Sequence, residues 1–265
     1  MKMVIAGAAG RMGRTLVEAV VRDASLTLAA AFDVAGSSTI GRDAGEAAGA
    51  ACGVMIGSDA RAAIAAGNCL IDFTRPEATI AHLEMCVASG SRMIIGTTGF
   101  TDAQKQRIAG AAERIGIVMA PNFAVGVNVT FKLAEIAARS LGPAFDVEIV
   151  EAHHKHKVDA PSGTALRLGE VVADALGRDL KEVAAYGREG ITGERAAGSI
   201  AFHSIRGGDI VGEHTVIFAG EGERVEVTVR SQSRMTYALG ALRAAQFLGS
   251  RGSGLFNMQD VLGLA

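Results

Sequence analysis

Residues 151–165, Glu-Ala-His-His-Lys-His-Lys-Val-Asp-Ala-Pro-Ser-Gly-Thr-Ala, gather three of the chain's six histidines, two lysines and a turn of small residues. His153, His154 and His156 titrate near neutral pH and so can give or take a proton. Lys155 and Lys157 add fixed positive charge. The Pro161-Ser-Gly-Thr164 run reads as a helix start, where backbone N–H groups and the positive dipole end attract anions. These types together suit a small, multiply anionic substrate. A metal would need converging ligands, but on an extended chain His154 and His156 share one side, His153 points to the other, and two lysines oppose a cation. No metal is expected. Runs of lysine and histidine are usually solvated loops, a reading that the adjoining helix-start turn argues against here.

Other elements must bring a reaction partner to that stretch. Lys2-Met-Val-Ile-Ala6 is a short apolar run ending at Gly7-Ala-Ala-Gly10-Arg-Met-Gly13, after which Leu16, Val17, Val20 and Val21 recur at helical spacing. Glycines spaced G-x-x-G-x-x-G between strand and helix let a pyrophosphate approach the backbone, and Arg11 and Arg14 lie where phosphate would sit, although the spacing alone equally suits a tight strand-to-helix turn with no ligand. The next strand, 26–32, ends in Asp33, 20 positions after Gly13, where a carboxylate can bind ribose hydroxyls. The alternation continues with apolar runs at 54–56, 69–73, 93–95 and 117–119. Helices are expected at 59–66, from Pro76 onward with Ile80, Leu83 and Val87 on one face, and over 101–115. This pattern predicts a Rossmann-like, doubly wound parallel sheet. Ligands bind beyond the carboxyl ends of such strands, so Thr74, Gly96, Thr97, Thr98, Ala120, Pro121, Asn122 and Phe123 all point at a nucleotide crevice, though any one of them taken alone reads as ordinary turn chemistry.

After Phe123 the pattern changes. A helix over 127–141 is stopped by Gly142-Pro143, then a strand over 145–151 leads into the histidine stretch and a helix over 164–176. Residues 187–195 form a polar, glycine-bearing loop. Strands at 199–205, 214–218 and 224–230 follow with short connections, which predicts a second, α+β domain with a mostly antiparallel sheet. Its second face needs a cover that another subunit can supply. The last helix, 236–248, and the tail return to the first domain. The expected division is therefore 1–124 plus 236–265 for the dinucleotide and 125–235 for substrate binding and oligomerisation.

With 265 residues and 49% hydrophobic content the chain can build substantial cores, and a formal charge of −2 gives no reason to expect nucleic acid or an anionic membrane. No apolar stretch approaches the ~20 residues needed to span a bilayer. Cys52, Cys69 and Cys86 are odd in number and lack CxxC spacing, against a disulfide framework or zinc. The opening residues have no long apolar run of a secretory signal, so a soluble, cytoplasmic protein is expected.

The segments 7–13, Asp72-Phe-Thr-Arg-Pro76, Gly96-Thr-Thr-Gly-Phe100, Asn122-Phe-Ala-Val-Gly-Val-Asn128 and 151–165 together resemble the 4-hydroxy-tetrahydrodipicolinate reductases, the dihydrodipicolinate reductases of bacterial diaminopimelate and lysine biosynthesis. The match runs nearly end to end, through 188–195, 208–215, Ser233-Arg-Met235 and Gly254-Leu-Phe256, and its H-H-x-x-K-x-D-A-P-S-G-T motif is highly specific. The resemblance implies NAD(P)H-dependent reduction of 4-hydroxy-tetrahydrodipicolinate, a small cyclic dicarboxylate, to tetrahydrodipicolinate by a homotetramer. It makes His153 the proton donor or acceptor and Lys157 its partner acid, also pairing with a substrate carboxylate. His154, Ser162, Gly163 and Thr164 would hold the substrate. Gly7, Ala8, Ala9, Gly10, Arg11, Met12, Asp33, Gly96, Thr97, Thr98, Ala120, Pro121, Asn122 and Phe123 would hold the cofactor. One departure bears on cofactor choice: Asp33 is followed by Val34, where NADPH users of the family often carry arginine. NADH is thus expected to be preferred, with NADPH use possible through Arg11. The contrasting reading is a non-catalytic NAD(H)-sensing protein, which would keep the glycine turn but need no clustered acid–base residues.

Overall fold

Short apolar runs alternating with helical ones fold in chain order as β1 (Lys2–Ala6), α1 (Arg11–Arg22), β2 (Thr27–Phe32), β3 (Ile56–Gly57), α2 (Ala60–Ala65), β4 (Cys69–Asp72), α3 (Pro76–Ser89), β5 (Arg92–Ile95), α4 (Asp102–Ala112), β6 (Gly116–Met119) and α5 (Val125–Leu141). Then come β7 (Asp146–His153), α6 (Gly163–Ala175), α7 (Leu180–Val183), β8 (Ala184–Tyr186), β9 (Ile200–Arg206), β10 (Gly212–Ala219), β11 (Arg224–Ser231), α8 (Met235–Gly249), β12 (Gly254–Phe256) and α9 (Met258–Leu262). This computed structural model describes residues 1–49 and 51–264; Ala50 and Ala265, inside the span expected for the dinucleotide domain, lie outside the described residues. The chain divides into two units, Met1–Val125 with Arg234–Ala265, and Gly126–Ser233.

The first unit holds a seven-stranded sheet, ordered β12-β6-β5-β4-β1-β2-β3, with every pairing parallel. Its strands read as continuous apolar runs because both faces are covered. Met3, Ile5, Ile71, Ile94 and Val118 face one core with Leu16, Val20, Ala241 and Ala245, while Val4, Leu70, Met93, Ile95 and Ile117 face another with Ile80, Leu83 and Ile108. Pro76 opens α3 and left-handed Gly90 closes it, as helix-end chemistry requires. The tail does more than return to this unit: Gly254–Phe256 adds the edge strand beside β6.

The second unit holds a five-stranded sheet, ordered β11-β10-β7-β9-β8. It is mixed, which corrects the expectation of a mostly antiparallel sheet. β10 pairs antiparallel with β7 and β11, but β9 pairs parallel with β7 and β8. The chain between β7 and β9 carries α6, and such a crossover delivers a parallel partner. The short link from β9 to β10 does not make them neighbours, because β7 lies between them. Helix α6 packs against β7, β9 and β10, over the buried Val147, Ile149, Phe202, Val216 and Phe218. On the opposite face Val150, His203, Thr215 and Ile217 stay partly exposed and Ile205 is exposed. Among the described residues no helix is long and apolar enough to cross a membrane.

Candidate active site

In the second unit the chemistry gathers where β7 ends. Glu151 and His153 lie two residues apart on this strand, so their side chains emerge on one face. Glu151 has a fully buried side chain whose Oε2 lies 2.6 Å from His153 Nδ1. Arg206, the last residue of β9, grips the same carboxylate through both terminal nitrogens, at 2.9 Å and 2.8 Å. His153 is paired with Arg206 in the β7–β9 register, which explains the approach. Arg206 also donates to the backbone oxygen of Asp159 at 2.6 Å, and the Ser162 amide donates to Glu151 Oε1 at 3.3 Å. One carboxylate thus ties two strands to the turn that starts α6.

Electrostatics follow from this packing. Burial would raise the Glu151 carboxyl, but hydrogen bonds from Arg206, Ser204 and His153, with the Arg206 charge, outweigh it and hold the group down at about 2. Burial pushes His153 below its ordinary 6.5, and the charges of Lys157 and Arg206 add to that, against the opposing pull of Glu151. His214 on β10 packs edge-on to His153, ring centroids 5.1 Å apart, and burial lowers it to about 4, helped by the charges of His153, Lys157 and Arg206. Since an ionised carboxylate only accepts, the His153 nitrogen facing it carries a proton, and Nε2 becomes the titrating atom. Nε2 faces the α-carbon of Gly212, where an added Cβ would lie only 3.1 Å away.

The remaining residues of the histidine stretch take different positions. Lys157 is mostly buried and binds both oxygens of Asp159, at 2.8 and 2.9 Å. Among the described residues, His154 Nδ1 is buried with no hydrogen-bond partner, as is His214 Nδ1. Lys155 and His156 are exposed, with the His156 ring 6.3 Å from that of His154. Among the described residues no group of three ligating side chains is placed to hold a metal. Ser162 caps α6, its Oγ accepting from the Ala165 amide at 3.2 Å and lying 3.0 Å from His214 Nε2. Its side chain is therefore used by the fold, and the turn presents the backbone at Gly163 and Thr164, where α6 begins. Glu151, Arg206 and His214 were not singled out from sequence as site residues. The signal for Glu151 was its two-residue spacing from His153; Arg206 and His214 arrive from distant strands and become neighbours only through the sheet register.

In the first unit the turns after β1, β2, β4, β5 and β6 meet at the carboxyl edge of the sheet. Gly7 takes a φ of +63°, and a Cβ at Gly13 would lie 2.0 Å from the Gly7 oxygen, so these two glycines are required by the close turn itself. Helix α1 begins after Gly10 with no side-chain cap, leaving its first amides for a ligand such as phosphate. Asp33 stands at the turn, Oδ2 accepting from the Ala9 amide at 2.7 Å and Oδ1 from the Val34 amide at 2.8 Å. Arg11 is exposed, and Arg14 folds back onto the Ala9 oxygen at 2.9 Å. This cradle of bare backbone, helix start and fixed carboxylate fits a dinucleotide.

Gly96 lies under the Phe73 ring, where a Cβ would sit 2.3 Å from it. Thr97 is buried on Thr79 at 2.8 Å, Thr98 and Pro121 are exposed, and Asn122 Oδ1 accepts from the Ala124 amide at 2.8 Å. Ala120 and Phe123 are buried, the Phe123 ring packs on Phe73 at 5.4 Å, and its carbonyl oxygen packs against Gly240 of α8. Buried Asp72 was missed as a centre. It accepts from the Thr74 hydroxyl at 2.6 Å and amide at 2.8 Å, and lies 2.7 Å from His82 Nδ1, which anchors Thr74 against Gly7.

A parallel, doubly wound sheet with a dinucleotide cradle in one unit, and a histidine–carboxylate pair and a lysine in the other, define a nicotinamide-dinucleotide-dependent reductase. Comparison with known proteins gives the particular family. The models "Dihydrodipicolinate reductase, N-terminus" and "Dihydrodipicolinate reductase, C-terminus" match residues 1–123 and 126–262. The chain is 63% identical to the 4-hydroxy-tetrahydrodipicolinate reductase of Aromatoleum aromaticum over 264 residues, covering 100% of this chain and 96% of that one. It is 59% identical to that of Cupriavidus metallidurans, with 100% of both covered. Among solved structures, the dipicolinate-bound dihydrodipicolinate reductase of Paenisporosarcina sp. TG-14 aligns with a TM-score of 0.78 at 27% identity, covering 98% of each chain. GenD2 from gentamicin A biosynthesis, in complex with NAD, shares the fold, with a TM-score of 0.60 at 14% identity, covering 100% of this chain and 90% of that one. The chain belongs to the dihydrodipicolinate reductase family.

Proposed function

We propose that the chain reduces 4-hydroxy-tetrahydrodipicolinate to tetrahydrodipicolinate. Replacing C–OH by C–H consumes NAD(P)H and one proton and releases water and NAD(P)⁺. The bound nicotinamide supplies the hydride. Once the ring hydroxyl has left, hydride addition to the conjugated ring generates a carbanion or enamine that needs a proton. His153 delivers it from Nε2, with Lys157 as the partner acid. The two substrate carboxylates are matched by Lys157, by His154 and by the α6 turn at Ser162, Gly163 and Thr164. The observation that carries this reading is that His153 has Nδ1 committed to Glu151 and no described partner on Nε2, while Lys157 and a helix start lie in the loop that follows.

In the same reading Gly7, Ala8, Ala9, Gly10, Arg11, Met12 and Asp33 cradle the pyrophosphate and adenosine ribose. Gly96, Thr97, Thr98, Ala120, Pro121, Asn122 and Phe123 line the rest of the cofactor edge. NADH is preferred: Asp33 repels a 2′-phosphate, and Val34, 74% exposed, brings no compensating charge. NADPH remains usable through Arg11. The open face of the second sheet becomes the interface of a homotetramer, and the enzyme works in the cytoplasm.

The direct test mixes enzymatically generated substrate with NADH or NADPH and follows the loss of reduced-nicotinamide absorbance. Turnover with both and a higher kcat/KM for NADH is expected. NADH binding without turnover would favour the sensor reading instead, and a clear NADPH advantage would show that Asp33 and Val34 do not set the preference.

A further inference from the structure

We propose that Glu151 is the positioning residue of this active site, fixing the ring and tautomer of His153 so that Nε2 is the atom that exchanges a proton, with Arg206 locking Glu151 in place. The inference rests on the reading of His153 as the acid. Glu151 has no exposed side-chain surface and spends both oxygens on its neighbours: Oε2 on His153 and Arg206, Oε1 on Arg206 and the Ser162 amide. A buried ion pair alone is weak evidence for a stability role, because well-packed apolar residues often replace one without loss. What such a pair cannot be replaced for is the hydrogen bond to His153. Only an acceptor held at 2.6 Å makes Nδ1 the protonated nitrogen of the neutral ring.

The charges around the ring show a second need for Glu151. Lys157, itself held by Asp159, acts on it from the loop, Arg206 from β9 and His214 from β10. Lys157 and Arg206 both discourage a charged imidazole, and burial does so further. Glu151 alone of these groups is a buried anion bonded to the ring, so it keeps protonated His153 accessible.

Two measurements test this. In ¹⁵N-histidine-labelled protein, with the His153 signals assigned by comparison with His153→Gln, the neutral ring is expected with its proton on Nδ1. A neutral ring protonated on Nε2 overturns the proposal, whatever His153 does in turnover. In Glu151→Gln, kcat is expected to fall about 10- to 100-fold, the range for losing an orienting partner, with KM for NADH unchanged. The alkaline limb of its kcat–pH profile should move to lower pH, since the anion favouring imidazolium is gone, and Glu151→Asp should restore the limb. A fall in rate with the limb unmoved reduces Glu151 to a structural part. Wild-type turnover in His153→Gln would instead remove the acid–base reading, leaving the tautomer result to stand or fall separately.

Discussion

His153 has charged neighbours of both signs, and its chemistry depends on which of them a substrate displaces. In this structure Asp159 holds Lys157 with both oxygens, the kind of contact a substrate carboxylate would make. On the proposed reading of His153 as the proton donor, His153→Gln removes that group and leaves the dinucleotide cradle intact. Its kcat is expected to fall on the order of 10²- to 10⁴-fold, as for loss of a general acid, while KM for NADH stays within about twofold. On the same reading Lys157→Ala removes the proposed proton partner and the proposed carboxylate counter-charge together, so steady-state kinetics should show kcat falling and substrate KM rising about tenfold. Intact turnover in either variant takes that residue out of the mechanism. At the other end of the reaction, Val34→Arg places a cation beside Asp33. It should raise kcat/KM for NADPH about tenfold, the worth of one charge-assisted bond, and change that for NADH little; an unchanged cofactor ratio would place the determinant elsewhere.

Elements differed in how far the sequence revealed them, and the differences have physical causes. The first unit was legible because covered parallel strands are continuous apolar runs, and because Gly7, Gly13 and Asp33 answer to local backbone geometry. In the sheet of the second unit β7, β9, β10 and β11 were legible, but β8 was not expected as a strand and the order was not legible, since inserting β7 between β9 and β10 is a long-range pairing with no local signature. The same limit hid Arg206 and His214, whose place in the site depends on that pairing. It also hid the anchoring of residues 187–195. Arg188 and Arg195 both reach Glu148 on β7, which also contacts His203 at 2.6 Å. Burial would raise the Glu148 carboxyl, but Arg188, Arg195 and His203 together hold it at about 2. Glu148→Ala should therefore loosen this loop without unfolding the sheet, and limited trypsin digestion should cut after Arg188 or Arg195 several-fold faster than in the wild type. Equal digestion rates would mean that the loop is held by something other than this anion.

At the scale of the whole molecule, the two units carry different polar loads in their interiors. In the second unit His214, 4% exposed, and Glu151, 1% exposed, are buried ionisable groups whose protonation states the fold must enforce. Both are depressed relative to the unfolded chain, so both give stability that is complete at higher pH and lost on acidification. His214 acts first: the unfolded ring protonates near 6.5 and the folded one only at about 4, so the loss runs as pH falls from about 6.5 to about 4. Glu151 follows, from its ordinary 4.5 down to about 2. For a residue this buried, a shift of that size in His214 corresponds to stability on the order of 3 kcal/mol. Urea unfolding followed by circular dichroism from pH 8 to pH 4 should show the midpoint falling below about pH 6.5, well before most carboxylates titrate. His214→Asn, neutral at every pH, should shrink that upper step to the part that the depressed His153 contributes, while keeping the later one below about pH 4.5. A wild-type midpoint flat between pH 7 and 5, or an unchanged upper step in His214→Asn, would show that the His214 ring is not forced neutral by the fold.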